Sequence, residues 1–404
     1  LMILSSSDKY IMNCLQPYFN LGAVEGDKGP IHALSLVKLG QNLLHHAHVS
    51  AIPHQLNTLS VFRSMLHELY PQDVVIQSPH ELPESLRTDA WQRLCDLLDR
   101  WDNLNAVEKD NTVLVLCRLG FYQTVLDYVD PIEDQEIAKD PTMARLARRY
   151  ANALGKRVNR QVSIDLYKKI VRLTPVESPE RFAAITQLIV YYSKQNEIAQ
   201  VQEWCELGDH ALHYRTPAVD PVETLLVSMY YRASSFLPFL KGDRAETVRI
   251  LDLAMELGQQ IPAEDTRYQQ MYRENMFPLL ETRAREAKWL GDTELAFERT
   301  RRLVEHDPYD PKTHLRLGKL LLEQNRIVEA LASYRHSAEL GFPLTPLAWF
   351  MTGQCYELLQ EPEAALQAYQ NSVQFSPTGG GQAALKRIAF LAKSLNKPET
   401  YFFL

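Results

Sequence analysis

The side chains in this sequence best suited to chemistry are histidines grouped near its start. His45, His46 and His48 form the densest group, with His54 and His67 nearby, and seven of the 12 histidines fall within the first 80 residues. His45 and His48 stand three apart, which puts both on one face of a helix and within reach of a single metal ion. No carboxylate or cysteine accompanies them at ligand spacing and no H-E-x-x-H occurs. The expectation is therefore a half-exposed helix that holds no metal, and no cofactor for the chain. Nucleophiles point the same way. Ser5-Ser6-Ser7 and Ser234-Ser235 lack the Gly-x-Ser-x-Gly turn that exposes a hydrolase serine. There is no phosphate-binding loop, dinucleotide fingerprint or kinase set. Carboxylate runs such as Glu361-Pro362-Glu363 read as solvated turns. The sequence predicts no catalytic residue and no enzyme.

Composition narrows the remaining classes. Forty-three Lys+Arg face 50 Asp+Glu in 404 residues, a formal net charge of −7. Such a chain has no global basic field for nucleic acid or an anionic membrane. Sixteen glycines against 22 prolines argue against glycine-loop nucleotide folds and sheet-rich folds, and for a mostly helical protein. Cys14, Cys95, Cys117, Cys205 and Cys355 are scattered, odd in number and without a C-x-x-C pair, which fits a reducing compartment and a cytoplasmic location. No apolar run approaches the ~18 residues of a membrane-spanning helix, and no basic-then-apolar signal opens the chain. The start, Leu1-Met2-Ile3-Leu4, has no methionine in first place. That fits either a trimmed start or a segment cut from a longer protein just after a membrane helix.

The elements that must position any functional surface announce themselves by repetition. Trp349-x-x-Thr352-Gly353-x-x-Tyr356, Ala365-x-x-x-Tyr369 and Pro377 echo His314-x-x-Leu317-Gly318-x-x-Leu321, Ala330-x-x-x-Tyr334 and Phe342-Pro343, with Gly, Ala and Tyr each displaced by 35 residues. Ala284, Ala296 and Pro308 continue the pattern one step upstream, the two alanines at an interval of 34. Small residues mid-way along each first helix let a second helix approach closely. Tyr334 and Tyr369 fill space beside them, and Pro308 and Pro377 end second helices.

On these residues, 277–377 resemble three tetratricopeptide repeats. A fourth unit is similar at Ala147-x-x-Tyr150-Ala151-x-x-Leu154, Tyr167 and Pro175. Two more degenerate hairpins are drawn from periodicity at 180–212 (Phe182 to Gln195, then Glu197 to Ala211) and 221–261, the latter with a Lys241-Gly242-Asp243 turn like Leu290-Gly291-Asp292. The resemblance implies an all-α, right-handed superhelical solenoid of stacked antiparallel helix hairpins, about six units in 141–377, with a helical N-terminal extension. Four regions are expected: 1–140 without clear motif; 141–265 of divergent hairpins; 266–377 of three clearer units (about 277–310, 311–345 and 346–377); and 378–404, a capping helix with Ala384, Ile388, Leu391 and Leu395 on one face, and a tail. In the first region, Ile31 to Val49, Gln55 to Tyr70, Pro83 to Trp101, Val107 to Leu119 and Phe121 to Val129 have helical periodicity. Asp73 to Gln77 reads either as a lone strand or as an extended linker.

In tetratricopeptide arrays the first helices line a concave groove that binds a peptide. Counted along those helices, Arg285, Lys288, Lys312, Arg316 and Lys319 fall on groove positions, and Phe350 and Gln354 continue the surface. Glu294, Glu298, Glu329 and Glu363 fall on second helices or turns. The resemblance implies a non-catalytic scaffold or adaptor for a protein or peptide partner, with an acidic segment or a terminal carboxylate suiting the basic positions. The asparagines that accompany lysines in the carboxylate-binding members have no counterpart here. The alternative is a regulatory or docking domain of a larger, membrane-tethered enzyme system such as a glycan-processing protein.

Overall fold

The computed structural model describes residues 78–81, 89–118, 121–217, 219–264, 268–306, 311–340, 345–374 and 382–396. His45, His46, His48, His54 and His67, the expected helices at 31–49 and 55–70, the 73–77 segment, Pro308, Pro343 and Pro377 lie outside them. Every described regular element is a helix. By compactness the described residues fall into two units, 78–286 and 287–396.

The first unit opens with α1 (Asp89–Asp99), α2 (Ala106–Arg118), α3 (Tyr122–Tyr128) and α4 (Asp134–Lys139). The sequence did not single out α4; its start is a capping box between Glu133 and Glu136. Three hairpins follow: α5 (Pro141–Arg157) with α6 (Arg160–Leu173), α7 (Pro179–Lys194) with α8 (Ile198–Leu212), and α9 (Pro221–Ser234) with α11 (Arg244–Gln260). One device starts each first helix. Asp140, Ser178 and Asp220 accept from the backbone amides of Thr142, Arg181 and Val222, and the proline after each cap has no N–H to leave unsatisfied. The third hairpin has a first half made of two helices. Pro238 removes a donor and crowds the preceding turn, so α9 stops at Ser234 and a short α10 (Phe236–Lys241) carries the chain to the turn.

Hairpins stack within this unit: α6 packs on α7, and α7 on α9. Their common core holds Ile164, Tyr167, Ile170, Phe182, Ile185, Leu188, Ile189, Val201, Val227 and Tyr230, all buried. The N-terminal helices are tied on by charge as well as by apolar contact. Asp110 on α2 is fully buried and pairs with Arg145 at 2.6 Å and Arg149 at 2.8 Å, both on α5. Arg148 of α5 bonds to the buried Glu180 of α7. Such pairs recover the cost of desolvating a carboxylate only when the geometry is close.

The division between units falls within α12 (Gln269–Leu290). The second unit continues with α13 (Thr293–His306), α14 (Pro311–Glu323), α15 (Ile327–Leu340), α16 (Thr345–Leu358), α17 (Pro362–Gln374) and α18 (Gln382–Ser394). α14 pairs with α15 and α16 with α17; α15 packs on α16, and α18 covers α17. Ala330, Ala365 and Ala296 are buried as the repeat register requires. Ala384, Ile388 and Leu391 of α18 close over Ala365, Leu366 and Tyr369.

One turn geometry joins the helices of most hairpins. Asn196, Gly242, Gly291, Asn325 and Gln360 take φ of 58°, 75°, 84°, 60° and 60°. After each, the next amide bonds to the carbonyl five residues back, as in Asp243 to Pro238, Asp292 to Ala287, Arg326 to Leu321 and Glu361 to Tyr356. This is the left-handed C-terminal cap that satisfies the last carbonyls of a helix.

Candidate partner-binding site

In the second unit the predicted basic positions lie along α14. Lys312, Arg316 and Lys319 are spaced four and three apart and so share a face. Lys312 and Arg316 are half-buried and Lys319 exposed, while Thr313, Gly318, Leu320 and Leu321 turn inward. Lys288 stands at the end of α12 with its Nζ 3.0 Å from Glu323 Oε1 at the end of α14, so one of the five predicted cations is already neutralised by a neighbouring first helix. On α16, Phe350 is half-buried with its ring 5.3 Å from that of Tyr369, and Gln354 is half-buried one turn further on. Phe350 thus splits its surface between the core and the first-helix face. Glu294, Glu298, Glu329 and Glu363 are exposed on the second helices α13, α15 and α17. Glu298 and Glu329 bond Arg302 and Arg326 there.

Arg285, the fifth predicted cation, belongs to the first unit, where it joins a group that sequence reasoning missed. Lys156 lies in the last turn of α5, Arg160 begins α6, Lys194 ends α7 and Arg232 lies in the last turn of α9. Lys156, Arg160 and Lys194 sit at the turn-bearing ends of their hairpins, and Arg232 just before the break between α9 and α10. α12 meets α9 nearby: buried Asn275 donates to Ser228 Oγ at 2.8 Å, one turn before Arg232.

The electrostatics show the crowding. The Lys194 ammonium is held below its ordinary value, first by burial and then by Arg160, Lys156, Arg232 and Arg285 in turn. Arg232 is lowered by burial and by Arg285, with Glu281 opposing. Its Nε is buried with no hydrogen-bond partner among the described residues. Glu281 accepts a hydrogen bond from Arg285 at 2.8 Å. Arg160 stacks over the Tyr191 ring at 5.4 Å. A signal for this group does exist in the sequence: Lys156, Lys194 and Arg232 recur at intervals of 38 residues.

Catalytic chemistry finds little material. Cys205 and Cys355 are buried, and burial pushes their thiols up to about 12 and about 11, far from the reactive range. Ser234 and Ser235 are buried and donate to the carbonyls of Tyr231 and Arg232 three residues back. Among the described residues no group of three or more His, Cys, Asp or Glu is arranged to hold a metal ion.

The model of the tetratricopeptide repeat family matches residues 315–379, the stretch that contains the Gly318, Gly353 and Tyr334, Tyr369 registers. Residues 315–379 are tetratricopeptide repeats. Among solved structures, the chain resembles a STAND signal-transduction ATPase with a tetratricopeptide repeat sensor from Pyrococcus horikoshii. The two are 9% identical over 99% of this chain and 62% of that one, with a TM-score of 0.52, a likeness of fold. PilF of Pseudomonas aeruginosa is 14% identical over 64% of this chain and 99% of that one, TM-score 0.43. YrrB, a tetratricopeptide-repeat protein with an unusual peptide-binding site, is 16% identical over 60% of this chain and 90% of that one, TM-score 0.32. Comparison with curated proteins finds no match. Repeats of this family generally serve protein–protein interaction, and among the described residues no helix is long and apolar enough to cross a membrane.

Proposed function

We propose that this tetratricopeptide-repeat protein is a non-catalytic cytoplasmic scaffold whose second unit holds an acidic peptide segment, or a chain end bearing its carboxylate, against the first-helix face. The observation that carries the reading is the row Lys312, Arg316 and Lys319 on one face of α14, continued by Gln354 and the partly exposed Phe350 on α16. The exposed carboxylates of Glu294, Glu298, Glu329 and Glu363 lie on the second helices and not on this face. Arginine offers paired hydrogen bonds to a carboxylate and lysine a point charge, while a half-exposed aromatic supplies apolar area. Exposed charges are screened beyond ~8–10 Å at physiological ionic strength, so affinity is modest and falls with salt.

The test is titration of fluorescent acidic peptides, with free and with amidated C-termini, against the parent and against a variant with Lys312→Glu, Arg316→Glu and Lys319→Glu together. Loss of binding by the variant, with its helical circular dichroism intact, supports the assignment. Equal binding with equal salt dependence moves the site off α14.

A further inference from the structure

We propose that α18 is more than a cap: it is the first helix of a further repeat, and its uncovered side is a docking seat for residues 398–404 of the same chain, which lie outside the described residues. The seat is not the α14 row, so either assignment stands or falls without the other.

The turn at the end of α18 is the first observation. Asn396 has φ of 51°, and its amide bonds to the Lys393 carbonyl. A left-handed residue ends many helices, but in this chain the turns at Asn196, Gly242, Gly291, Asn325 and Gln360 share a stricter habit: the second helix of the hairpin starts two residues later, at Ile198, Arg244, Thr293, Ile327 and Pro362. Two residues after Asn396 stands Pro398, followed by Glu399, as Pro362 and Glu363 open α17. The correspondence extends along α18 at one interval of 36 residues. Ala348, Trp349, Thr352, Gly353, Gln360 and Pro362 are matched by Ala384, Leu385, Ile388, Ala389, Asn396 and Pro398.

The second observation is what α18 leaves open. Its Ala384, Ile388 and Leu391 are buried on the side that meets α17. The small position that a second helix approaches is buried at Ala284, Gly318 and Gly353, yet Ala389 is exposed, and Leu385, in the place of Trp349, is 39% exposed. An apolar strip of this kind, leading back from a hairpin turn, is the side that a second helix buries.

Length and pattern identify the occupant. Ser333 on α15 donates at 2.8 Å to the carbonyl of His314 on α14, 19 residues earlier. His314 matches Leu385, and the same interval from Leu385 ends at Leu404, so 398–404 suffices to run from the turn past Ala389 to Leu385. In α17, Ala365, Leu366 and Ala368 are buried while Glu363 and Gln367 are exposed. The register therefore assigns Tyr401, Phe402 and Leu404, all apolar, to inward positions, and Glu399 and Phe403 to outward ones. Tyr401 replaces the alanine of Ala330 and Ala365, so this second helix stands further from α18 than α17 does from α16. A second copy is the poorer occupant. α18 carries exposed Lys386 and Lys393 and no carboxylate, and pairing it with itself sets like charges together.

The experiment uses the full chain with Ala389→Cys as a reporter, labelled by a maleimide dye, each rate being normalised to that of the urea-unfolded chain. The parent supplies the background of native thiols. Phe390→Cys, on the neighbouring face and at a position 61% exposed, supplies the rate of an open site. A thiol beneath a seated segment reacts only when the segment lifts, so Ala389→Cys should label about ten-fold or more slowly than Phe390→Cys. Leu385→Cys gives the same reading should Ala389→Cys disturb α18 by circular dichroism.

Adding Tyr401→Asp and Phe402→Asp together should restore fast labelling, because both place a charge in the seat. Phe403→Asp should not, because the register turns that side chain outward. Combined reversal of Lys312, Arg316 and Lys319 should leave the protection intact. Equal labelling of the two reporters, or loss of protection by Phe403→Asp as complete as that by the inward pair, would overturn the proposal. Protection that disappears on dilution would overturn it too, by assigning the seat to a second copy.

Discussion

The ring of Tyr369 lies directly over the bare Cα of Gly353, so close that a Cβ built on that glycine would stand 2.7 Å from Tyr369 Cε1. Tyr334 meets Gly318 in the same way, again at 2.7 Å, one repeat earlier. Both tyrosines are fully buried and have nowhere to retreat. The contact is the physical content of the 35-residue spacing: it fixes how near the second helix of each hairpin comes to the first.

Gly353→Leu therefore sets two effects against each other. A leucine in a helix interior is worth up to ~1 kcal/mol over glycine in propensity. Driving a branched side chain into a buried aromatic ring costs about 1–3 kcal/mol in overpacking, and steric strain wins. The variant should melt several degrees below the parent in a thermal scan followed by circular dichroism, and an unchanged melting temperature would remove the register.

Gly291 should behave differently. A Cβ there meets nothing within 4 Å, but its φ is 84°. Gly291→Ala should cost about 1–2 kcal/mol through left-handed strain alone. Gly291→Asn should cost less, because asparagine occupies the matching turn positions at Asn196 and Asn325. Urea melts of the two variants check the order, and alanine at least as stable as asparagine would contradict it.

The buried tyrosines set the alkaline limit of stability. Burial pushes Tyr167 up to about 12, against the opposing pull of Arg148. Tyr230, Tyr334 and Tyr369 are raised mainly by burial too, Tyr230 also by donating to Asp209 at 2.6 Å. An unfolded tyrosine titrates near ~10. Above that pH the unfolded chain sheds protons that the native state keeps, and the slope of stability with pH becomes negative. The stabilisation is complete below pH ~10 and is lost as pH climbs through ~12, on the order of 2–3 kcal/mol for Tyr167 alone. Urea midpoints at pH 9, 10 and 11 should be flat and then fall, and Tyr167→Phe should fall less steeply.

Local chemistry made much of this molecule legible from sequence. The Gly–Tyr and Ala registers of 318, 330 and 334 against 353, 365 and 369 recur because one hairpin must solve the same packing problem each time. The Gly242 and Gly291 turns were readable because few residues take a positive φ without strain. The break at Ser234 was latent in Pro238. What tertiary structure alone decided is which side chains of different hairpins meet. Asp110 finds Arg145 and Arg149 some 35 to 39 positions away, Lys288 finds Glu323, and Arg283 finds Asp252. Periodicity within a helix sets which face a residue occupies. Stacking between hairpins, governed by close packing across non-local distances, sets what that face encounters, and in the divergent hairpins no motif announces the register in advance.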